Sequence, residues 1–229
     1  MKKAILTIMA ISILVLGGCE KKEPAEGPAG QPGTPPGTTP PGTTPPEIER
    51  KAPDFTLKSF DGETLSLSDL KGKIVVLEWF NFECPYVVYH YDEKNTMVDL
   101  ANKYKYKNVV WLAINSTSHT TPEANKGFAE KHKLPYPILD DRDGKVGKAY
   151  GAMTTPHMFV IDARGSIAYQ GAIDNSPRGK KKTGVVNYVE KALDELLAGK
   201  EVTDTDNMPY GCSVKYGLPM VAPTQDKKE

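Results

Sequence analysis

Residues 73–85 read Lys-Ile-Val-Val-Leu-Glu-Trp-Phe-Asn-Phe-Glu-Cys-Pro, and this stretch decides the fold. Ile74 to Phe80 is an almost unbroken apolar run, rich in β-branched and aromatic side chains. A strand with one wet face would alternate, so the run predicts a central strand covered on both sides. One residue breaks it. Glu78 puts a carboxyl group in the driest part of the domain, where an unpartnered charge is costly. After a short turn, Cys84-Pro85 predicts a helix start, because proline suits the first helical position. Cys84 then falls at or near the N-cap, facing unpaired N–H groups and the positive end of the helix dipole. Both favour thiolate over thiol.

Outward from this strand the pattern alternates between short strands and helices. Ala52 to Leu57 and Glu63 to Leu67 flank Asp61-Gly62 and predict a hairpin. Met97, Leu100, Ala101 and Tyr104 keep the spacing of one buried helix face. Val109 to Ile114 predicts a second buried strand. Thr121-Pro122-Glu123 opens another helix with Thr121 as N-cap. A short strand at Ile138-Leu139 and a helical turn at Val146 to Tyr150 follow. Met158 to Ile161 and Ile167 to Tyr169 form a second hairpin around 162–165. A last helix carries Val186, Val189, Leu193 and Leu196 and ends at Gly199. The simplest solution for this order is an α/β sandwich. The domain spans 48–200, and 201–229 is a tail of little periodicity that carries Cys212. The basic run Arg178 to Lys182 reads as a solvated loop.

The chain has 229 residues, 39% of them hydrophobic and 25% charged, enough for one domain with a sizeable core plus appendages. Lys and Arg balance Asp and Glu at 29 each, which argues against a nucleic-acid partner. The N-terminus carries Lys2 and Lys3 and then an apolar run from Ala4 to Leu16, too short to span a bilayer comfortably. Residues 1–18 therefore read as a signal peptide. It closes on Leu16-Gly17-Gly18-Cys19, which resembles the lipobox of bacterial lipoproteins. That resemblance implies cleavage before Cys19 and acylation of its sulfur, a lipid anchor in a bacterial membrane. The alternative is an ordinary secretory signal with an incidental cysteine. Residues 19–47 form a Pro/Gly/Thr-rich linker with a repeated G-T-T-P-P. Its low-complexity part, Pro24 to Pro46, reaches between roughly 26 Å as a coil and roughly 70 Å extended. Either reading exports the domain to the cell envelope, facing periplasm or exterior, where disulfides persist. With Cys19 acylated, Cys84 and Cys212 remain to pair.

Four phrases then fall in order: A-P-D-F-T-L at 52–57, F-N-F-E-C-P-Y at 80–86, D-G-K-V-G-K-A-Y-G at 143–151 and T-T-P-H-M-F-V-I-D at 154–162. Together they resemble the thioredoxin superfamily, and within it the redoxin branch of alkyl hydroperoxide reductase and thiol-specific antioxidant proteins. The resemblance covers about 52–199 and implies a thioredoxin-like sandwich, a central mixed sheet flanked by helices. It implies that Cys84 is the nucleophile, that Glu78 is the buried acid moving protons to the thiols, and that Thr155-Pro156 is a cis-proline segment against the active cysteine. It implies no cofactor.

This chain departs from the pattern in informative ways. The second cysteine of a C-x-x-C is replaced by Val87. Where peroxiredoxins place a Thr three residues before the cysteine, Asn81 stands; the Pro seven before is Leu77. The Arg three before the late Phe159 is Pro156. Without the Thr and the Arg, the usual peroxide pocket is absent. His157 follows the presumed cis-proline and is placed to approach Cys84, and His90 lies six residues after it. A copper site on these groups is the metal alternative, but no C-x-x-x-C exists and no metal is expected. His119 and His132 read as surface residues.

The leading expectation is an exported, membrane-tethered thiol–disulfide oxidoreductase with Cys84 as nucleophile and Cys212 as resolving cysteine. Its partners would be extracytoplasmic protein thiols or disulfides, or small oxidants. One rival is an atypical thiol peroxidase using the same cysteines. The other is a non-enzymatic binding domain stapled by Cys84–Cys212. All three require the tail to fold back and bring Cys212 to Cys84, and the apolar Met208, Tyr210, Val214 and Tyr216 supply a reason for it to do so.

Overall fold

The computed structural model describes residues 50–217. Residues 1–49, on which the expected signal peptide, Cys19 and the expected linker fall, and residues 218–229 lie outside them. Among the described residues no helix is long and apolar enough to cross a membrane.

Among the described residues there are nine strands, seven of them in one sheet around the central run. Strands β1 (Thr56–Ser59) and β2 (Thr64–Ser66) make the first hairpin, and β3 (Ile74–Trp79) is the predicted central strand, buried at every position. β4 (Val109–Asn115) and β5 (Ile138–Asp140) run parallel to it in succession. β7 (His157–Ile161) and β8 (Ile167–Gly171) form the late hairpin. The sheet has seven strands in the order β2-β1-β5-β4-β3-β7-β8, with β7 antiparallel to β3. It is therefore mixed, as the resemblance implies.

The helices are α1 (Pro85–Val88), α2 (Thr96–Tyr104), α3 (Pro122–His132), α4 (Lys145–Tyr150) and α5 (Tyr188–Leu197). The period of two along β3 sends Val76 and Glu78 to one face and Val75, Leu77 and Trp79 to the other. On the first face pack Met97, Leu100 and Tyr104 of α2, Ala129 of α3, and Val189 and Leu193 of α5. On the second pack Phe55, Tyr150, Phe159 and Ile161, with Val146 of α4 against them. Thr121 caps α3 as expected, accepting the Ala124 N–H at 3.2 Å.

The last helix starts later than the apolar spacing suggests. Asn187 is its N-cap and accepts the Glu190 N–H at 2.9 Å, so Val186 lies outside it. Val186 instead bonds Asn175 in both directions. A capping side chain overrides the hydrophobic count here.

The described part of the tail, residues 201–217, crosses the domain. Its backbone joins Gln170 of β8 through Thr205 and Asn207, at 3.0 and 3.1 Å. It then forms β9 (Cys212–Ser213), which pairs antiparallel with β6 (Thr154–Thr155) as a separate two-stranded sheet. Beyond it, the Val214 N–H donates to Met153 O at 3.1 Å, and Lys215 O accepts the Ser118 N–H at 2.9 Å. Tyr216 ends the path by donating its hydroxyl to Ala152 O at 2.8 Å. The domain is shaped for this path. A Cβ on Gly147 of α4 would lie 2.5 Å from the Tyr216 hydroxyl and 2.8 Å from Ser116 Oγ. At Gly211, φ is +143° and a Cβ would collide with the Thr155 carbonyl. The tail has no element of its own to predict, because its fixing groups are single aromatic side chains, backbone bonds and glycines; the aromatic residues are the sequence signal that it folds back.

Candidate active site

The end of β3 delivers Cys84 through a turn built by Asn81. The Asn81 side-chain oxygen accepts the Glu83 N–H at 2.8 Å, and its carbonyl accepts the Cys84 N–H at 3.0 Å. An Asx turn of this kind is a property of Asn and Asp. The residue at the usual threonine position thus serves to present the cysteine. Cys84 occupies the N-cap of α1 with extended backbone, and Pro85 follows in the first turn. After Val88 the helix widens into a single π turn, Tyr89–Glu93, a distortion frequent at functional sites.

The Thr155–Pro156 peptide bond is cis. The Cys84 thiol donates to the Thr155 carbonyl at 2.9 Å, so the two segments meet as expected. Cys212 is the residue opposite Thr155 in the β6–β9 pair. One threonine therefore contacts both cysteines. Both are free thiols here, Cys84 buried at 1% exposure and Cys212 partly exposed.

The surroundings shift the two thiols in opposite directions. Burial pushes the Cys84 thiol up, but the Thr155 side chain and the N–H groups of Cys212 and Val87 favour the thiolate and leave it below the ordinary value. The Thr155 hydroxyl is itself buried without a hydrogen-bond partner at normal geometry, so it is available to a thiolate. Cys212 is pushed up to about 11 by burial and by its contact with Cys84, against the charge of Lys215. The thiolate is favoured at one sulfur and disfavoured at the other.

Glu78 is fully buried. The Tyr91 hydroxyl lies 3.0 and 2.8 Å from its two oxygens, Trp111 Nε1 donates at 3.3 Å, and Tyr136 bonds Tyr91 at 2.9 Å. Burial raises its carboxyl to about 7, despite these donors. Among the described residues no hydrogen bond joins it to either sulfur.

The histidines differ from expectation. His157 pairs with Trp79 in the β3–β7 ladder and turns to the second sheet face, where its Nδ1 accepts the Met153 N–H at 3.3 Å and its ring lies 4.5 Å from Phe159. The period of two along β7 takes it away from Cys84. His132 is not a surface residue in its side chain, which is 8% exposed and packs 4.3 Å from the Phe128 ring. His119 is exposed and bonds Glu83 at 2.9 Å. No group of three metal-ligating side chains occurs among the described residues.

His90 has a role the sequence did not reveal. Its Nε2 lies 2.9 Å from the Tyr210 hydroxyl, which donates to Asp174 at 2.7 Å. Thr96 bonds the other ring nitrogen at 3.2 Å, and Tyr86 packs 5.8 Å from the Tyr210 ring. Burial depresses His90 to about 4, against the pull of Asp174, so the ring is neutral near pH 7. Tyr210 is two residues before Cys212. The only signal in the sequence was an aromatic residue close to a tail cysteine.

Residues 48–170 match the AhpC/TSA family. The thiol-disulfide oxidoreductase ResA of Bacillus thuringiensis subsp. konkukian is 32% identical over 121 residues, covering 53% of this chain and 67% of that protein. A chloroplastic peroxiredoxin Q of Triticum aestivum is 34% identical over 125 residues, 51% of this chain and 55% of that protein. The crystal structure of an uncharacterized conserved protein from Geobacillus kaustophilus superposes with a TM-score of 0.67 at 31% identity, over 76% of this chain and 94% of that one. The thioredoxin-like sheet, the cis-proline beside Cys84 and these similarities agree, and the chain belongs to the AhpC/TSA family of redoxins.

Proposed function

We propose that this protein is a thiol–disulfide oxidoreductase whose redox pair is Cys84 and Cys212, carried on an exported domain tethered to a membrane through acylated Cys19. The carrying observation is the position of Thr155, bonded to Cys84 through its carbonyl and paired with Cys212 across β6–β9. In the first half-reaction the Cys84 thiolate attacks one sulfur of a disulfide oxidant and expels the other as thiolate. The resulting mixed disulfide is attacked at Cys84 Sγ by Cys212, which gives its proton to solvent. The oxidant leaves as two thiols, and Cys84–Cys212 holds the new bond.

The partners are extracytoplasmic protein thiols or disulfides, or small oxidants. Glu78 takes the part of a buried proton store. A peroxidase reading draws support from the peroxiredoxin Q similarity, but Asn81 and Pro156 stand where the peroxide-binding Thr and Arg would be. A stapled, non-enzymatic domain would have no use for a thiol lowered by three donors.

The test is exchange with a fluorescent disulfide peptide. Cys84→Ser should abolish turnover, and Cys212→Ser should stop it with the peptide trapped on Cys84. Activity retained by Cys84→Ser would sink the reading, while consumption of hydroperoxide at the rate of disulfide exchange would move it to the peroxidase. For the tether, Cys19→Ser should release the protein to the soluble fraction, and unchanged membrane association would remove the lipid anchor.

A further inference from the structure

The loop 178–182 carries Arg178, Lys180, Lys181 and Lys182, all four exposed, within five residues. None of the four takes part in an ion pair among the described residues. The loop is solvated as its composition predicts, but its base is fixed against the site. The Ser176 N–H donates to Asp174 at 2.8 Å, and the same carboxylate oxygen accepts the Tyr210 hydroxyl at 2.7 Å. Ser176 Oγ closes the loop by accepting the Lys181 N–H at 3.0 Å. A Cβ on Gly179, where φ is +66°, would collide with the Tyr89 hydroxyl, so the loop backbone rests on the π turn after α1. The Arg178 guanidinium stands 6.0 Å from the centre of the Tyr86 ring, a cation–π distance. Tyr86 is two residues after Cys84, and its ring packs 5.8 Å from that of Tyr210, two residues before Cys212. The cationic loop therefore borders the ring pair that flanks both cysteines.

We infer that this loop docks an acidic segment beside the reacting cysteine of a protein partner, with Arg178 nearest the site and the three lysines extending the contact. This rests on the thiol–disulfide exchange proposed above and names the class of protein it acts on. A loop of one sign beside a site steers a partner of the opposite sign and raises the rate of productive encounter. Arg178 is held by Tyr86 rather than by an anion of this chain, so its planar N–H fork stays open to a carboxylate. Position favours a protein over the membrane surface. Strand β8 ends at Gly171, opposite Met158 and close to the cis-proline, and the chain runs on from there to the loop. The described domain begins with Arg50, whose carbonyl accepts the Ile167 N–H at 2.7 Å, at the other end of β8. The loop is thus at the sheet end away from the proposed tether.

The experiment compares the full native chain with one carrying Arg178→Gln, Lys180→Gln, Lys181→Gln and Lys182→Gln together. The probes are two fluorescent disulfide peptides that differ only in four residues beside the cystine, Asp in one and Asn in the other. At about 0.01 M salt, where charges act over roughly 30 Å, the native chain should exchange with the Asp peptide roughly tenfold faster than with the Asn peptide. The ratio should approach one in the Gln variant, and also at about 1 M salt, where the reach is roughly 3 Å. Lys180→Arg, Lys181→Arg and Lys182→Arg together should retain it, and its loss there would contradict a dock made by charge. Equal rates with the two peptides in the native chain overturn the inference while leaving the exchange reading intact. A binding measurement separates the two failures. The anisotropy of the Asp peptide, with Ser in place of its cysteines, should rise with the native chain and stay flat with the Gln variant. Such binding without exchange on either peptide keeps the dock and removes the exchange reading. Loop-dependent binding to phosphatidylglycerol vesicles, with none to the peptide, assigns the loop to the membrane and overturns the inference.

Discussion

Thr155 stands between the two cysteines: its carbonyl accepts the Cys84 thiol at 2.9 Å, and across the β6–β9 pair its neighbour is Cys212. A strand only two residues long thus sets the register of the proposed redox pair, whose members lie 128 positions apart. Because side chains alternate along a strand, a slip of one residue in β9 would turn Cys212 to the other face.

The first prediction concerns Cys84 protonation. Alkylation rate against pH in Cys212→Ser, and in Thr155→Val alongside it, should show the midpoint in Cys212→Ser below the roughly 8.5 of a free cysteine. The midpoint should rise in Thr155→Val, because the side chain that most favours the thiolate is lost. With a folded value below the unfolded one, the contribution to stability is present above the unfolded value and lost as pH falls through the folded one. A midpoint at or above that of free cysteine in both proteins would contradict the site electrostatics.

Glu78 makes the opposite prediction. Its carboxyl is raised from 4.5 to about 7 by burial, so the folded state holds a proton that the unfolded state has released. The stabilisation is fully present below about 4.5 and lost as pH rises through about 7, a change of about 3 kcal/mol. Urea unfolding of the native protein and Glu78→Gln at pH 4.5 and pH 8 reads it directly. The native protein should lose stability relative to the variant over that range; parallel curves would mean that Glu78 titrates in the folded state as it does in the unfolded one.

Tyr210→Phe removes one hydroxyl that serves both His90 and Asp174. Stability should fall by roughly 1–3 kcal/mol, since a buried ring nitrogen is left unpartnered. Closure of Cys84–Cys212 should also slow, because the tail loses the anchor two residues before Cys212. Unchanged closure with lowered stability would limit Tyr210 to packing.

Gly147→Ala tests whether the tail is fitted or merely adjacent. Helix propensity alone would favour alanine by about 1 kcal/mol. The new methyl would instead meet the Tyr216 hydroxyl and Ser116 Oγ. The expected result is net destabilisation and faster proteolysis between Lys215 and the C-terminus. A more stable protein with a protected tail would show that Tyr216 is not part of the docking.

Much of this site was legible in the sequence because it is made by local rules. The apolar run of β3, the proline after Cys84 and the Thr-Pro before the late strand each constrain their own neighbourhood. The helix-capping chemistry of Thr121 was equally local. What escaped was non-local. His90 to Tyr210 to Asp174 joins three segments through side-chain hydroxyl and ring contacts that have no periodicity. His157 looked close to Cys84 because it follows Pro156, but the alternation of β7 turned it to the other face. Asn81 appeared as a missing threonine, and only the backbone showed it building the turn that holds Cys84.

The central claim is that Cys84 and Cys212 form one redox pair within a single chain, and a redox titration tests it most directly. The full chain is equilibrated in buffers of defined thiol/disulfide ratio, quenched with acid and mapped by peptide mass. The account predicts a single intramolecular Cys84–Cys212 bond that titrates as a two-electron couple, independent of protein concentration and absent in both Cys84→Ser and Cys212→Ser. A Cys84 that stays free, or pairs only between chains in proportion to protein concentration, would contradict it.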